Sequence, residues 1–127
     1  MDFKMNEYGF QTKTKYGNFN ISSQDEYGFR PYQLMISSIV GCSGGMLRNI
    51  LEKMRIPFDD ITISAQVTRN PDKANRIEAI ELTYTLVGED IPYKKAEKAL
   101  ALSRKNCAMI QSVAGSIEIT EKLQVKK

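Results

Sequence analysis

RPYQLMISSIVGCSGGMLRNILEKM, from Arg30 to Met54, decides how this chain folds. Its apolar residues recur over helix length. Pro31 suits a first helical turn, where a missing N–H has no helical partner to lose. The MLRNILEKM end is rich in strong helix formers, and Pro57 closes the segment. The middle is small instead of bulky: Ser37, Ser38, Gly41, Cys42, Ser43, Gly44 and Gly45. Each glycine costs a helix about 0.5–1 kcal/mol relative to alanine, so three of them around a cysteine need a reason. Gly41 and Gly45 are four apart and share one face, with Ser38 nearby. A small-residue face lets another backbone approach closely. Two uses of it are open. Two helices pack tightly inside one fold, or the close approach also makes a pocket with Cys42 in its wall. Cys42 shares a face with Met35, Ile39, Met46 and, a turn further, Asn49.

Outward from this helix the chain alternates between strand and helix patterns. Tyr8, Phe10, Thr12 and Thr14 alternate with polar residues, Tyr16-Gly17-Asn18 turns, and Phe19 and Ile21 resume. This spacing predicts a hairpin. SSQDEYG, Ser22 to Gly28, is a polar loop. Beyond Pro57, Ile61, Ile63, Ala65 and Val67 predict one strand, Asn70-Pro71-Asp72 a turn, and Ile80, Leu82, Tyr84 and Leu86 the next strand. Ile91-Pro92 opens a second helix with Ala96, Ala99, Leu100 and Ser103 on one face. Asn106 is read as the N-cap of a short helix, CAMIQSVAG. Ile117, Ile119, Leu123 and Val125 predict a closing strand. The order ββ-α-ββ-α-α-β predicts an α+β class, with long antiparallel hairpins packed on helices in a single domain, residues 1–127.

Composition removes several functions. The chain carries no histidine, so a Ser-His-Asp triad, a Cys-His dyad and a histidine metal ligand are excluded. Two cysteines alone do not make a four-ligand zinc site, so no metal and no cofactor is expected. The net charge is +3, with scattered lysines and no basic stripe interleaved with aromatics, which argues against nucleic acid. The uncharged run Pro31–Leu47 is shorter and more polar than the ~20 apolar residues of a membrane span. MDFKMNEYGF has no apolar secretory core, so a cytoplasmic location is expected. There a structural disulfide is disfavoured, and Cys42 and Cys107 are either inert or redox-active. Cys107, following the presumed cap Asn106, would sit where helix N–H groups favour a thiolate. It also extends the apolar line of Ala99, Ser103 and Ile110, the pattern of a buried small hydrophobe.

The two cysteine segments resemble the OsmC/Ohr family of osmotically inducible and organic-hydroperoxide-resistance proteins. The first is PYQLMISSIVGCSGGMLRNILEKM (Pro31–Met54), with its cysteine eleven residues after the proline. The second is LSRKNCAMIQSVAGSIEITEKL (Leu102–Leu123), a cysteine opening a short helix before a strand. The hairpin VTRNPDKANRIEAIELTYTLVG (Val67–Gly88) lies between them, as the family's does. The GCS start and short N-terminus are most similar to the OsmC-like branch.

The resemblance implies an intertwined homodimer, with antiparallel sheets wrapped around central helices. It also implies thiol-dependent reduction of organic hydroperoxides by a dithiol reductant. By it, Cys42 is the peroxidatic thiol, Cys107 the resolving thiol, and the glycines let the central helices cross. The peroxidase branch activates its thiol with an arginine from the N-terminal strands and orients that arginine with a glutamate soon after the proline. Here Tyr32 and Gln33 stand in the glutamate positions, and the hairpin offers only Lys4, Lys13 and Lys15. Arg30 is the candidate activating cation, with Arg48 a second; Tyr32, Gln33, Met35, Ile39 and Met46 are the candidate pocket lining. The competing expectation is a dimer that binds an apolar small molecule and keeps its cysteines inert.

Overall fold

Where the sequence alternates, strands form, and the turn residues set their register. A computed structural model describes Met1–Lys127 and divides into two compact units, residues 1–37 and 38–127. In the first unit, strands β1 (Phe3–Met5), β2 (Phe10–Lys13) and β3 (Asn18–Ile21) make an antiparallel sheet in that order. The expected hairpin is β2–β3. Thr14 N–H donates to the Gly17 carbonyl at 2.9 Å and Gly17 N–H to Thr14 Oγ1 at 3.2 Å, which closes its turn. β1 was not legible in the sequence, because all three of its residues are exposed and so carry no alternation. Gly9 is required where β2 begins: a Cβ there would lie 2.0 Å from the Ile21 carbonyl oxygen.

Helix α1 (Pro31–Lys53) follows and continues into the second unit. Its end comes before Pro57. The N–H of Arg55 donates to the Glu52 carbonyl at 3.0 Å, and that of Ile56 to the Leu51 carbonyl at 3.0 Å. Arg55 takes the left-handed conformation, φ 57°. This is the paired-bond C-terminal motif that usually holds glycine, with buried Ile56 as its apolar follower. By length and composition α1 is apolar enough to cross a membrane. Its buried residues Ile39, Ser43, Leu47, Ile50 and Leu51 instead form one side of the protein's own core.

Strands β4 (Asp60–Asn70) and β5 (Arg76–Val87) form the long antiparallel hairpin, in register from Asp60↔Val87 to Asn70↔Arg76 with a bulge at Thr68/Arg69. Helices α2 (Tyr93–Asn106) and α3 (Ala108–Val113) lead to β6 (Glu118–Lys126). The α+β class stands. One pairing differs from the antiparallel expectation: β6 runs parallel to β5, from Ala79↔Glu118 to Val87↔Lys126. Two helices intervene between these strands, and a connection of that length carries the chain back to start a parallel neighbour. Ile80, Leu82, Tyr84 and Leu86 are the buried face of β5, as their alternation predicts. Ala96, Ala99, Leu100, Cys107, Ile110, Ile117 and Ile119 complete the core of this unit.

A non-glycine residue in the left-handed region costs about 1–2 kcal/mol, against about 0.5–1 kcal/mol for the extra entropy glycine loses on folding. Arg55 is exposed. Arg55→Gly is therefore expected to stabilise the fold by about 0.5–1 kcal/mol, read as a higher urea midpoint at unchanged slope.

Candidate active site

The two cysteines, 65 positions apart in the chain, meet in the second unit. Both are free thiols, Cys42 half-buried in the middle of α1 and Cys107 fully buried between α2 and α3. The Cys107 S–H donates to the Cys42 sulfur. Local chain geometry explains the placement. α2 ends at Asn106, and Cys107 takes an extended conformation, φ −80° and ψ 109°, that breaks the helix and restarts it. The restart leaves the first N–H groups of α3 without helical acceptors, and those of Met109 and Ala108 point to Cys42.

The environments push the two thiols in opposite directions. Hydrogen bonding from Met109 N–H, then from the Cys107 thiol and from Ala108 N–H, holds Cys42 below the ordinary thiol range, against a smaller opposing effect of burial. Burial is the largest influence on Cys107 and raises it; the N–H groups of Ile110 and Met109 oppose this, and the neighbouring Cys42 adds to it. The sequence reading expected helix N–H groups to favour a Cys107 thiolate. They act on both thiols, but at Cys107, inside the core, burial outweighs them, and the net gain falls to Cys42. Asn106 is not the N-cap either. It is the last residue of α2 and donates from Nδ2 to the Leu102 carbonyl at 2.9 Å, and Cys107 holds the cap position without a cap bond.

The other sequence candidates fall in different places. Arg30, Tyr32, Gln33 and Met35 belong to the first unit. The Arg30 guanidinium lies 5.0 Å above the Tyr32 ring, with Nε 3.9 Å from the Asp25 carboxylate. Gln33 borders an open depression with Asn18–Asn20 and Asp25–Phe29. Met35 is exposed, Met46 half-buried, and Ile39 is a core residue at 1% exposure. Gly41 and Gly45 have no intrachain neighbour: a Cβ at either would meet nothing within 4 Å. Tight packing of two helices inside one chain therefore does not explain them. They line a groove of about 460 Å³ in the second unit with Val40, Gly44, Arg48, Phe58–Ile61 and Ile63. Gly44 does have an intrachain reason, since a Cβ there would come within 2.9 Å of Ile63 Cδ1.

A polar cluster escaped the sequence reading. Tyr84 Oη donates to Glu121 Oε2 at 2.6 Å and is 2.5 Å from Ser43 Oγ; Arg104 Nη1 is 3.5 Å from Glu121 Oε1; Ser103 Oγ donates to the Ser43 carbonyl at 3.2 Å. Alternation alone marks Tyr84 as one apolar position of a strand. A sequence signal existed: it is the one residue with a polar tip among the alternating core positions Ile80, Leu82 and Leu86, and a buried hydroxyl needs a partner.

With a free thiol pair in one segment order on an α+β frame, the comparison with known proteins is decisive. The family profile described as OsmC-like protein matches residues 23–122. This chain belongs to the OsmC-like family. A hypothetical protein from Aquifex aeolicus VF5 is similar at 27% identity and TM-score 0.89, covering 99% of this chain and 95% of that one. An OsmC-like protein from Mycoplasma pneumoniae shares the fold at 11% identity and TM-score 0.81, covering 93% of this chain and 89% of that one. So does an organic hydroperoxide resistance protein from Elizabethkingia anophelis, solved with crystallant-derived thiocyanate, at 15% identity and TM-score 0.76, covering 95% and 91%. No curated protein matches the sequence. The profile match carries the family membership, and the likeness to the hydroperoxide resistance protein shows a shared fold.

The opposed thiol environments have a direct readout. At pH 7, Cys42 of the OsmC-like chain is expected to react with iodoacetamide at least about tenfold faster than Cys107, because only the thiolate attacks and Cys107 is both buried and raised. Its rate–pH profile should have a midpoint below the ordinary thiol range. Cys107→Ser should move that midpoint upward, since Cys107 is among the groups holding Cys42 down. Equal labelling of both thiols would contradict this reading.

Proposed function

We propose that the protein is a thiol-dependent peroxidase for organic hydroperoxides, acting through Cys42 and Cys107. The observation that carries the reading is the pairing of a thiol held low with a buried thiol held high, in hydrogen-bonding contact. The Cys42 thiolate attacks one oxygen of the hydroperoxide; the O–O bond breaks, and the alkoxide leaves and takes a proton, giving an alcohol and a Cys42 sulfenic acid. The Cys107 sulfur then displaces the sulfenic oxygen as water and forms the Cys42–Cys107 disulfide. A dithiol reductant restores both thiols by exchange. Cys107 suits the second role because burial keeps it protonated until Cys42 has been oxidised. Arg30 is the proposed activating cation, on the resemblance to the peroxidase branch, which activates its thiol with an arginine from the N-terminal strands.

The proposed working form is a cytoplasmic homodimer of single OsmC-like domains. Support comes from α1, where Gly41 and Gly45 present a face that no residue of the same chain covers. Each glycine costs the helix about 0.8–1.0 kcal/mol relative to alanine, a cost with no return inside one chain and an evident return where a second helix crosses. Gly45→Leu is expected to convert a dimer to a monomer in light scattering after size exclusion, with the helical signal retained. A variant that remains dimeric would remove the glycine face from the interface.

The deciding test is the intact mass of the reduced protein after one equivalent of cumene hydroperoxide, beside Cys42→Ser. Rapid loss of two hydrogens in the wild type alone, mapped to a Cys42–Cys107 bond, is the expected result. No change over many minutes in the wild type would sink the peroxidase reading and favour a dimer that holds an apolar small molecule beside inert cysteines.

A further inference from the structure

We infer that Tyr84 is a positioning residue for the cysteine pair: its hydroxyl, inside a buried chain of hydrogen bonds, holds the two thiols in register for disulfide closure. The inference rests on the reading of Cys42 and Cys107 as a working redox pair.

The tyrosine ring needs no special explanation. It is fully buried on the same face of β5 as Ile80, Leu82 and Leu86, and phenylalanine would fill that volume. The hydroxyl adds only its bonds. Glu121 is ion-paired to Arg104 and its side chain is 8% exposed. A carboxylate only accepts, so Tyr84 donates to Glu121, and the Ser43 hydroxyl must in turn donate to Tyr84. Burial first, and then the bond to Glu121, push the phenol far above its usual range, so it remains a donor at any pH the protein meets. The direction of every bond in the chain is thereby set.

The members of this chain stand beside the thiols. Ser43 follows Cys42 in α1 and is 0% exposed. Ser103 and Arg104 lie in the last turn of α2, just before Cys107. Ser103 also donates directly to the Ser43 carbonyl, so α2 is tied to α1 at the residue next to the nucleophile. Tyr84 and Glu121 anchor both ties on adjacent strands, β5 and β6. Rotation of α1 about its axis is restrained by the Ser43 hydroxyl, and the end of α2 by Arg104. Without the Tyr84 hydroxyl, Ser43 and one Glu121 oxygen lose their buried partner, and the helix restraint goes with them. Disulfide closure depends on how well two thiols are held at bonding geometry, so a looser pair closes less favourably.

The test uses the whole protein and no peroxide. Wild type, Tyr84→Phe, Ser43→Ala and, as a control at an exposed position outside the chain, Tyr93→Phe are equilibrated with mixtures of glutathione and its disulfide. Two cysteine thiols and one glutathione disulfide give the Cys42–Cys107 disulfide and two glutathione molecules, the thiol protons passing to the glutathione. The oxidised fraction is read by intact mass after acid quench, below the melting temperature of every variant. Tyr84→Phe is expected to lower the equilibrium constant for disulfide formation about tenfold, which is about 30 mV in reduction potential. Ser43→Ala should shift it in the same direction by less, and Tyr93→Phe should not shift it. Lower melting temperature with an unshifted equilibrium in Tyr84→Phe would overturn the inference, as would a wild-type pair that forms no disulfide. If Tyr84→Phe does not fold, Ser43→Ala decides, because it leaves the bond from Tyr84 to Glu121 in place. A wild type inert to cumene hydroperoxide whose variants still shift would end the peroxidase reading and keep this one. An active wild type with unshifted variants would do the reverse.

Discussion

The contact of Cys42 with the N–H groups at the start of α3 is the constraint from which the rest of the second unit follows. It requires α2 to end one residue before Cys107 and α3 to restart one residue after it. It requires α1 to present Cys42 and not Ser43 to that restart; the two side chains differ in direction by about 100° around the helix. It also requires a sheet beneath both helices that can hold α1 at that rotation. β5 supplies the sheet, and its parallel neighbour β6 brings Glu121 alongside Tyr84.

The thiols differ through burial more than through charge. Both lie near the same few backbone N–H groups. Cys42 is half-buried and Cys107 is not exposed at all. A thiolate that keeps some access to solvent and accepts N–H bonds is favoured; one sealed in the core is not. Two cysteines near the same N–H groups thus acquire different chemistry from how deeply each is buried.

The α1 glycines separate two kinds of packing. Gly44 is explained inside the chain by Ile63, whereas Gly41 and Gly45 border an open groove. The same sequence pattern thus holds one residue that serves the packing of α1 on β4 and two whose added Cβ would meet nothing within the chain. Arg55, by contrast, marks a site where local chemistry is overruled: the left-handed C-terminal residue of α1 is an arginine, tolerated because the buried pair Leu51 and Ile56 holds the turn.

The amino-acid sequence by itself determined the element order, the span of α1, the β4–β5 hairpin with its turn at Asn70, and Cys42 and Cys107 as the candidate thiols. These follow from local rules: side-chain alternation, proline geometry and the rarity of cysteine, each read within a few residues. Only the tertiary structure decided that β6 pairs in parallel and that Asn106 closes α2 instead of capping α3. It alone showed that burial leaves the net gain from the N–H groups to Cys42, and that Tyr84, Ser43 and Glu121 form one chain of hydrogen bonds that the partly exposed Arg104 closes. Each of these depends on groups distant in sequence meeting in a low-dielectric interior, where a hydrogen bond or a degree of burial outweighs what neighbouring residues prefer.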